Sequence, residues 1–186
     1  MNIWHDLDPR HVTAEDFVAL IEIPKGSSCK YELDKETGLI KLDRVLYTAT
    51  HYPANYGFIP VTYADDNDPL DVLVLCSAPV YPMTLIRVYP IGVMRMLDGG
   101  SIDDKIIAVP FSDPSYFGIK SIEELPGHIF DEIMHFFSVY KQLEHKQTAV
   151  KSLYGPSEAK KVIQAAIDAY KKKAEEGYFS QPHDED

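Results

Sequence analysis

Residues 84–109 read TLIRVYPIGVMRMLDGGSIDDKIIAV, which places two apolar runs on either side of a short polar segment. The first run covers residues 84–96 and the second covers residues 105–109, and both are rich in Val and Ile. Runs of this kind, bounded by glycine and aspartate, are typical of β-strands. The polar segment at 98–105 is therefore predicted to be a loop between two strands.

Shorter strand-like runs precede this pair in the first two thirds of the chain. Residues 17–23 are an apolar run that ends at a Pro-Lys-Gly turn, and residues 72–75 are another. Residues 29–33 and 39–44 lie on either side of Lys-Glu-Thr-Gly, which predicts a hairpin. Several short strands separated by turns indicate a small barrel or a sandwich.

The last third of the chain has a helical period instead. Between residues 122 and 146, apolar side chains recur at steps of three and four, and a second such stripe begins at Pro156 and ends near Gly177. The predicted class is α+β, with strands first and helices last. We expect one domain over residues 1–186, with a core at about 15–175 and a flexible tail at 178–186.

The composition restricts the partners of the protein. The 186 residues include 29 acidic and 18 basic side chains, which gives a formal charge of −11. A nucleic-acid-binding surface needs a basic footprint, so this balance counts against a nucleic-acid partner. The start of the chain carries no signal-peptide pattern, and the longest uncharged stretch, 72–86, is shorter than the roughly 20 residues of a membrane helix. We expect a cytoplasmic protein with no membrane partner.

The sharpest chemical feature is Asp66-Asn67-Asp68-Pro69-Leu70-Asp71, which Asp65 precedes. Four carboxylates in seven residues, with no Lys or Arg among them, repel one another unless a cation lies between them. Oxygen ligands of this kind suit Mg²⁺, Mn²⁺ or Ca²⁺. The alternative is a solvated acidic turn, because Asp, Asn and Pro are common turn residues.

A second acidic segment lies at 98–105, where the alternative is a plain hairpin tip. Because alternate residues of an extended segment face the same side, Asp103 and Lys105 are expected to lie together, as a metal ligand beside a cation. A set of basic and phenolic residues suits phosphate oxygens, although each alone is typical of a protein surface. This set consists of Lys30, Arg44, Tyr52, Tyr56, Tyr140 and Lys141.

Known nucleotide and hydrolase motifs are missing from the sequence. It contains no GxxxxGK[ST], GxGxxG, HExxH or GxSxG. Carboxylates that suit Mg²⁺ and cations that suit phosphate, without a nucleotide loop, predict a small phosphate compound as the substrate.

Several motifs in order resemble the family I soluble inorganic pyrophosphatases. Residues 66–72 fit the family signature D-x-D-P-x-D-V, and further matches run from about residue 20 to about residue 145. These matches are Ile21-Glu22-Ile23-Pro24, Lys30-Tyr31-Glu32, Asp43-Arg44, Tyr52-Pro53-Ala54-Asn55-Tyr56-Gly57, the 98–105 loop and His135-Phe136-Phe137-Ser138-Val139-Tyr140-Lys141. The chain length is similar to that of the bacterial type, which forms hexamers.

The resemblance implies a closed five-stranded barrel of OB-like form with helices packed outside, and Mg²⁺-dependent hydrolysis of pyrophosphate to two phosphates by a metal-activated water. Asp68 would orient and deprotonate that water, and Asp71 would bridge metals. Mn²⁺ or Zn²⁺ would substitute for Mg²⁺, and Ca²⁺ would inhibit. The implied metal ligands are Asp66, Asp71, Asp103, Asp98, Glu22 and Glu32. The implied substrate-binding residues are Lys30, Arg44, Tyr56, Lys105, Tyr140, Lys141 and Tyr52.

Two alternative interpretations remain. One is a nucleic-acid-binding barrel, because OB-like barrels bind nucleic acids, although the charge of −11 opposes it. The other is a non-catalytic homologue, which the intact signature residues disfavour.

Overall fold

The computed structural model describes residues 2–180, which contain eight strands and three α-helices. The strands are β1 (Phe17–Ile23), β2 (Cys29–Leu33), β3 (Ile40–Val45), β4 (Asn55–Phe58), β5 (Asp71–Val74), β6 (Thr84–Asp98), β7 (Ser101–Pro110) and β8 (Thr148–Tyr154). The α-helices are α1 (Ile3–Asp6), α2 (Gly127–Val139) and α3 (Pro156–Glu175). Short 3-10 helices cover Pro9–His11, Ile122–Glu124, Gln142–Glu144 and Tyr178–Ser180.

Five of the strands pair in a ring. β1 is antiparallel to both β4 and β6, β4 is antiparallel to β5, and β6 is antiparallel to β7. The ring is completed by β5 and β7, which run parallel. β8 adds to the edge of β6, and β2 and β3 form a separate hairpin. The predicted α+β class is confirmed, with most strands before the two long helices.

The two long helices cover opposite sets of strand side chains. Val72 and Val74 of β5 belong to one buried cluster with Ile163 of α3, whereas Leu73 belongs to a second cluster with Phe137 of α2. This division follows from the period of two along a strand, which sends successive side chains to opposite faces. α2 and α3 therefore belong to two different buried clusters, which meet opposite faces of β5.

The turn between β6 and β7 is shorter than the sequence predicted. Only Gly99 and Gly100 form it, with φ of 57° and 91°, and β7 begins at Ser101. Two residues with positive φ fit the right-handed twist of paired strands, and glycine adopts that conformation without strain. Residues 101–105 are therefore strand, not loop.

The helical predictions hold with changed boundaries. The stripe predicted between 122 and 146 contains α2, which begins after Pro126 and is followed by the 3-10 helix Gln142–Glu144, where His145 has a left-handed φ of 58°. α3 begins at Pro156, where a missing N–H costs no helical hydrogen bond. The sequence did not predict β8, since Thr148, Lys151 and Ser152 interrupt its apolar residues and leave a weak apolar pattern.

The predicted tail at 178–186 needs a partial correction. Tyr178–Ser180 is a 3-10 helix, and the ring of Phe179 lies 4.8 Å from that of Tyr170 and 5.5 Å from that of Trp4. Mutual burial of aromatic rings stabilises this arrangement, so any tail begins after Phe179. Residues 181–186 lie outside the described residues. From Asn2 to Ser180, no helix is long and apolar enough to cross a membrane.

Gly57→Ala is expected to destabilise the protein by about 3 kcal/mol, near the upper end of the cost of overpacking. Gly57 of β4 pairs with Ile21 of β1, and a Cβ at this position would lie 1.8 Å from the carbonyl oxygen of Leu20. β1 cannot shift away, because it is held by β4 on one side and by β6 on the other.

Urea unfolding measures this loss, with Gly127→Ala as the control. Gly127 begins α2, and a Cβ added there would have no atom within 4 Å, so alanine should change stability by less than about 1 kcal/mol. Equal urea midpoints for the two variants would contradict the β1–β4 register.

Candidate active site

A cleft of about 360 Å³ opens beside the hairpin of β2 and β3, the loop before β5 and the end of α2. Of the fourteen site residues predicted from the sequence, all but Arg44 and Tyr52 line it. The carboxylates among them are Glu22, Glu32, Asp66, Asp68, Asp71, Asp98 and Asp103. The remaining predicted residues that line it are Lys30, Tyr56, Lys105, Tyr140 and Lys141.

The parallel pair of β5 and β7 forms the floor of the cleft. Asp71 is in register with Lys105, whose Nζ donates to Asp71 Oδ2 at 2.6 Å. The same Nζ donates to Asp103 Oδ1 at 2.9 Å, which confirms that Asp103 and Lys105 face the same side of the strand. Tyr56 Oη also donates to Asp71 Oδ2, at 2.6 Å. Lys105 is only 2% exposed, so its charge lies inside the protein.

The acidic segment before β5 is a tight turn that lines the cleft. The N–H of Asp68 donates to Asp66 Oδ1 at 3.2 Å, and the N–H of Ala64 donates to the carbonyl of Asp68 at 2.8 Å. Asn67 has a left-handed φ of 69°, and its side chain accepts a hydrogen bond from Tyr63 Oη at 2.7 Å. The sequence left open a solvated turn or a cation-binding segment, and the structure shows a turn whose carboxylates share one cavity.

Lysine ammonium groups are the counter-ions of these carboxylates. Four lysines each contact at least one carboxylate of the cleft, and Lys30 also contacts Asp43 outside it at 3.1 Å. The pairs in the cleft are Lys105 with Asp71 and Asp103, Lys141 with Asp98, Lys30 with Glu32, and Lys35 with Asp68. Pairs of oppositely charged side chains therefore line one cavity.

Burial raises the pKa of three carboxylates of the cleft. Burial, and then the neighbouring Asp71, raise the pKa of Asp66 to about 6. Burial raises the pKa of Glu22 to about 8, although the N–H of Leu33 donates to its carboxylate. Burial also raises the pKa of Asp103, against the effect of Lys105. Each pKa is raised mainly because burial disfavours the charged carboxylate, and neighbouring carboxylates add to the effect.

This donor set fits a hard divalent cation. Carboxylate oxygens are the ligands that Mg²⁺ and Mn²⁺ prefer, and none of the described residues that line the cleft carries a thiol or an imidazole. In the part of the chain from residue 2 to residue 180, no three acidic, Cys or His side chains are already arranged around one point as metal ligands. The ammonium of Lys105 donates to both Asp71 and Asp103 and so links the two carboxylates.

Two predicted site residues lie outside the cavity lining. Arg44 is in register with Lys30 on the neighbouring strand, and its Nε lies 2.9 Å from Glu144 Oε1. Tyr52 is buried, with its ring 5.5 Å from that of Tyr56. Tyr52 therefore packs behind a residue of the cleft.

Seven residues that line the cleft were not among the predicted site residues, and Lys35 and Trp4 are two of them. Lys35 belongs to the turn between two predicted strands, and Trp4 lies outside every motif. A lysine at the tip of a hairpin and an aromatic residue near the start of the chain carry no local signal for a site. Their contribution depends on contacts between distant parts of the chain.

Comparison with known proteins points to one family. Residues 19–171 match the family model described as inorganic pyrophosphatase. The chain is 53% identical over 168 residues to soluble inorganic pyrophosphatase 2 of Chlamydomonas reinhardtii, a match that covers 90% of this chain and 87% of that protein. It is 50% identical over 167 residues to soluble inorganic pyrophosphatase 5 of Arabidopsis thaliana, covering 90% and 77%.

Solved structures agree with the sequence comparison. The inorganic pyrophosphatase from Thermus thermophilus superposes with a TM-score of 0.88 at 38% identity, covering 92% of this chain and 99% of that chain. The inorganic pyrophosphatase from Helicobacter pylori superposes with a TM-score of 0.85 at 43% identity, covering 89% and 99%.

Proposed function

Because the chain belongs to the inorganic pyrophosphatase family, we propose that its cleft binds pyrophosphate and Mg²⁺ and hydrolyses the substrate to two phosphates. The family supports pyrophosphate hydrolysis as the reaction of this enzyme. The single observation that supports this site is the meeting of seven carboxylates with four paired lysines in one cavity of about 360 Å³.

The carboxylates of the cleft are the proposed metal ligands. Asp66, Asp71 and Asp103 would form the central set of ligands, with Asp71 shared between metal ions, and all three line the cleft. Asp98, Glu22 and Glu32, which also line it, would hold further metal. A bound divalent cation supplies a lowered pKa for a coordinated water and neutralises charge on the phosphoryl oxygens. Mg²⁺ is the proposed ion, with Mn²⁺ or Zn²⁺ as substitutes.

Asp68 is the proposed general base. Its carboxylate lies on the turn between two proposed metal ligands and is 52% exposed, so a water in the cleft can reach it. It would accept a proton from the water whose oxygen attacks one phosphorus atom. The bond from that phosphorus to the bridging oxygen then breaks, and the second phosphate leaves.

The cations and phenols of the cleft are the proposed phosphate ligands. Burial alone would lower the pKa of Lys105, but Asp71 and Asp103 raise it well above its usual value, so this ammonium stays charged. Phosphoryl transfer depends mainly on positioning and charge, and a fixed cation contributes to both. The other proposed ligands are Lys30, Arg44, Tyr52, Tyr56, Tyr140 and Lys141.

The substrate assignment is tested by product stoichiometry. Purified protein with Mg²⁺ should release two phosphates from each pyrophosphate, and should release phosphate from ATP or p-nitrophenyl phosphate far more slowly. Absence of phosphate release from pyrophosphate would reject the proposed function. Equal rates with the three compounds would reject the assignment of pyrophosphate as the preferred substrate.

Ca²⁺ is expected to inhibit the Mg²⁺-supported reaction. The oxygen ligands accept Ca²⁺, but this ion is larger and takes a looser coordination than Mg²⁺, so it positions and activates water less well. The measurement is phosphate release at fixed Mg²⁺ and increasing CaCl₂, with NaCl at matched ionic strength as the control. Full activity with Ca²⁺ alone would contradict the proposed use of the metal.

We also propose that the ring of five strands is a closed OB-like barrel and that the chain is one domain. Hydrogen-bonded pairing around all five strands supports the barrel. The formal charge of −11 opposes binding of a nucleic-acid backbone, so no nucleic-acid partner is proposed, and neither is a membrane partner. The cytoplasm is the proposed location.

A homohexamer is the proposed assembly, by resemblance to the bacterial type. Light scattering at micromolar protein should give about six times the 21.0 kDa of one chain. A monomer mass would reject the assembly and leave the proposed chemistry unaffected.

A further inference from the structure

Lys35 contacts the side chain that the proposed mechanism uses as its base. Its Nζ donates to Asp68 Oδ1, across 33 positions of sequence. Among residues 2–180, Lys35 is the side chain that forms an ion pair and hydrogen bond with the Asp68 carboxylate. Because that carboxylate is 52% exposed, little packing fixes its rotamer, and its ion pair with Lys35 is a contact that can orient it.

The N-terminal segment holds Lys35 in place. Asn2 Nδ2 donates to the carbonyl of Lys35 at 3.2 Å, and the Lys35 ammonium lies 5.2 Å from the centre of the Trp4 ring. A cation over an indole face is stabilised by about 0.5–1 kcal/mol at an exposed site. The backbone and the ammonium of Lys35 are thus both in contact with the segment around α1.

Trp4 is itself rigidly placed. Its Nε1 donates to the carbonyl of Thr62 at 2.9 Å, its own carbonyl accepts from the N–H of Val61 at 2.8 Å, and it is 5% exposed. Thr62 and Val61 come just before the turn that carries Asp68. The start of the chain is therefore connected to the acidic turn directly and, through Lys35, by a second route.

We propose that Lys35 is a positioning residue for Asp68. We also propose that α1 belongs to the active site, because Trp4 holds the ammonium of Lys35 in position. The inference rests on the proposed function, since it takes Asp68 as the general base. Lys35 acts on the orientation of the carboxylate and not on the substrate. Displacement of a base from its productive geometry lowers turnover while leaving substrate binding nearly unchanged.

Kinetics of three variants test this role. Lys35→Gln should lower kcat for pyrophosphate by about 10–100-fold and change KM by less than about twofold. Lys35→Arg keeps the charge and should restore most of the lost turnover. The control is Lys161→Gln, which removes a lysine charge on the exposed face of α3 and should leave both constants unchanged. Thermal midpoints of all three should agree with that of the unaltered protein.

Two kinetic outcomes would overturn the inference. If the kcat of Lys35→Gln lies within about twofold of the control, Asp68 does not need Lys35. If KM rises while kcat is unchanged, Lys35 binds substrate and does not position the base.

The fluorescence of Trp4 tests the connection without using activity. Trp4 is the sole tryptophan of the chain, so its emission reports on the Lys35 ammonium above it. Asp68→Asn should change the emission when Lys35 is present and should have no effect in the Lys35→Gln protein. If Asp68→Asn leaves the Trp4 emission unchanged both with Lys35 present and in the Lys35→Gln protein, the inference is overturned. A protein that releases no phosphate but shows this dependence would reject the proposed function while confirming the contact.

Discussion

Asp68→Asn is expected to lower kcat for pyrophosphate hydrolysis by about 10²–10⁴-fold, the usual contribution of a positioned general base. Asparagine keeps the size of the side chain and one acceptor oxygen, but it does not take up a proton at neutral pH. Asp68 lies beside the proposed metal ligands in the cleft and is not one of them. Mg²⁺ binding, measured by calorimetry, should therefore be retained.

Asp71→Asn is the matched comparison, since it makes the same chemical change three residues later. Asp71 accepts from Lys105 and from Tyr56 on the floor of the cleft, where two metal positions are proposed to meet. Loss of its charge should weaken Mg²⁺ binding, and excess Mg²⁺ should restore part of the turnover. If Asp68→Asn loses Mg²⁺ binding and Asp71→Asn keeps it, the two roles are reversed.

Lys105→Met is expected to destabilise the protein by about 3–5 kcal/mol when no divalent metal is present, because it leaves buried charges without a partner. The Nζ of Lys105 lies within 3.1 Å of Asp71, Asp103 and Tyr56, and methionine has a similar length but no charge. Mutual repulsion of the two carboxylates then opposes folding.

Urea unfolding in EDTA measures that loss, and Lys41→Met is the control. Lys41 is about half exposed and lies 3.8 Å from Asp34, so its replacement should cost less than about 1 kcal/mol. Mg²⁺ should recover part of the stability of Lys105→Met, because a cation that binds only the folded state stabilises it. An unfolding midpoint equal to that of the control would contradict the assignment of Lys105 as the charge that holds Asp71 and Asp103.

The parts of the site that the sequence predicted are those governed by short-range geometry. Asp103 and Lys105 were expected to face one side because a strand has a period of two, and the structure places both on one cavity. The acidic turn at 66–71 was evident from charge density alone. The pairing of Asp71 with Lys105 required a parallel register between β5 and β7, which no local pattern specifies.

The parts that the sequence missed depend on contacts between distant segments. Lys35 meets Asp68 only because the hairpin of β2 and β3 folds over the acidic turn. Trp4 and Phe179 lie at opposite ends of the chain, and their packing explains why residues 178 and 179 are not part of a tail. β8 was not predicted because polar residues interrupt its apolar side chains. Its position depends on pairing with β6, which lies far from it in the sequence.

We propose that this cleft hydrolyses pyrophosphate by means of a divalent cation that its carboxylates hold. The most direct test is phosphate release from pyrophosphate by the unaltered protein, first after removal of divalent ions with EDTA and then after addition of excess Mg²⁺. We expect no measurable release in EDTA and rapid release once Mg²⁺ is restored. Hydrolysis that proceeds at the same rate in EDTA and in Mg²⁺ would contradict it.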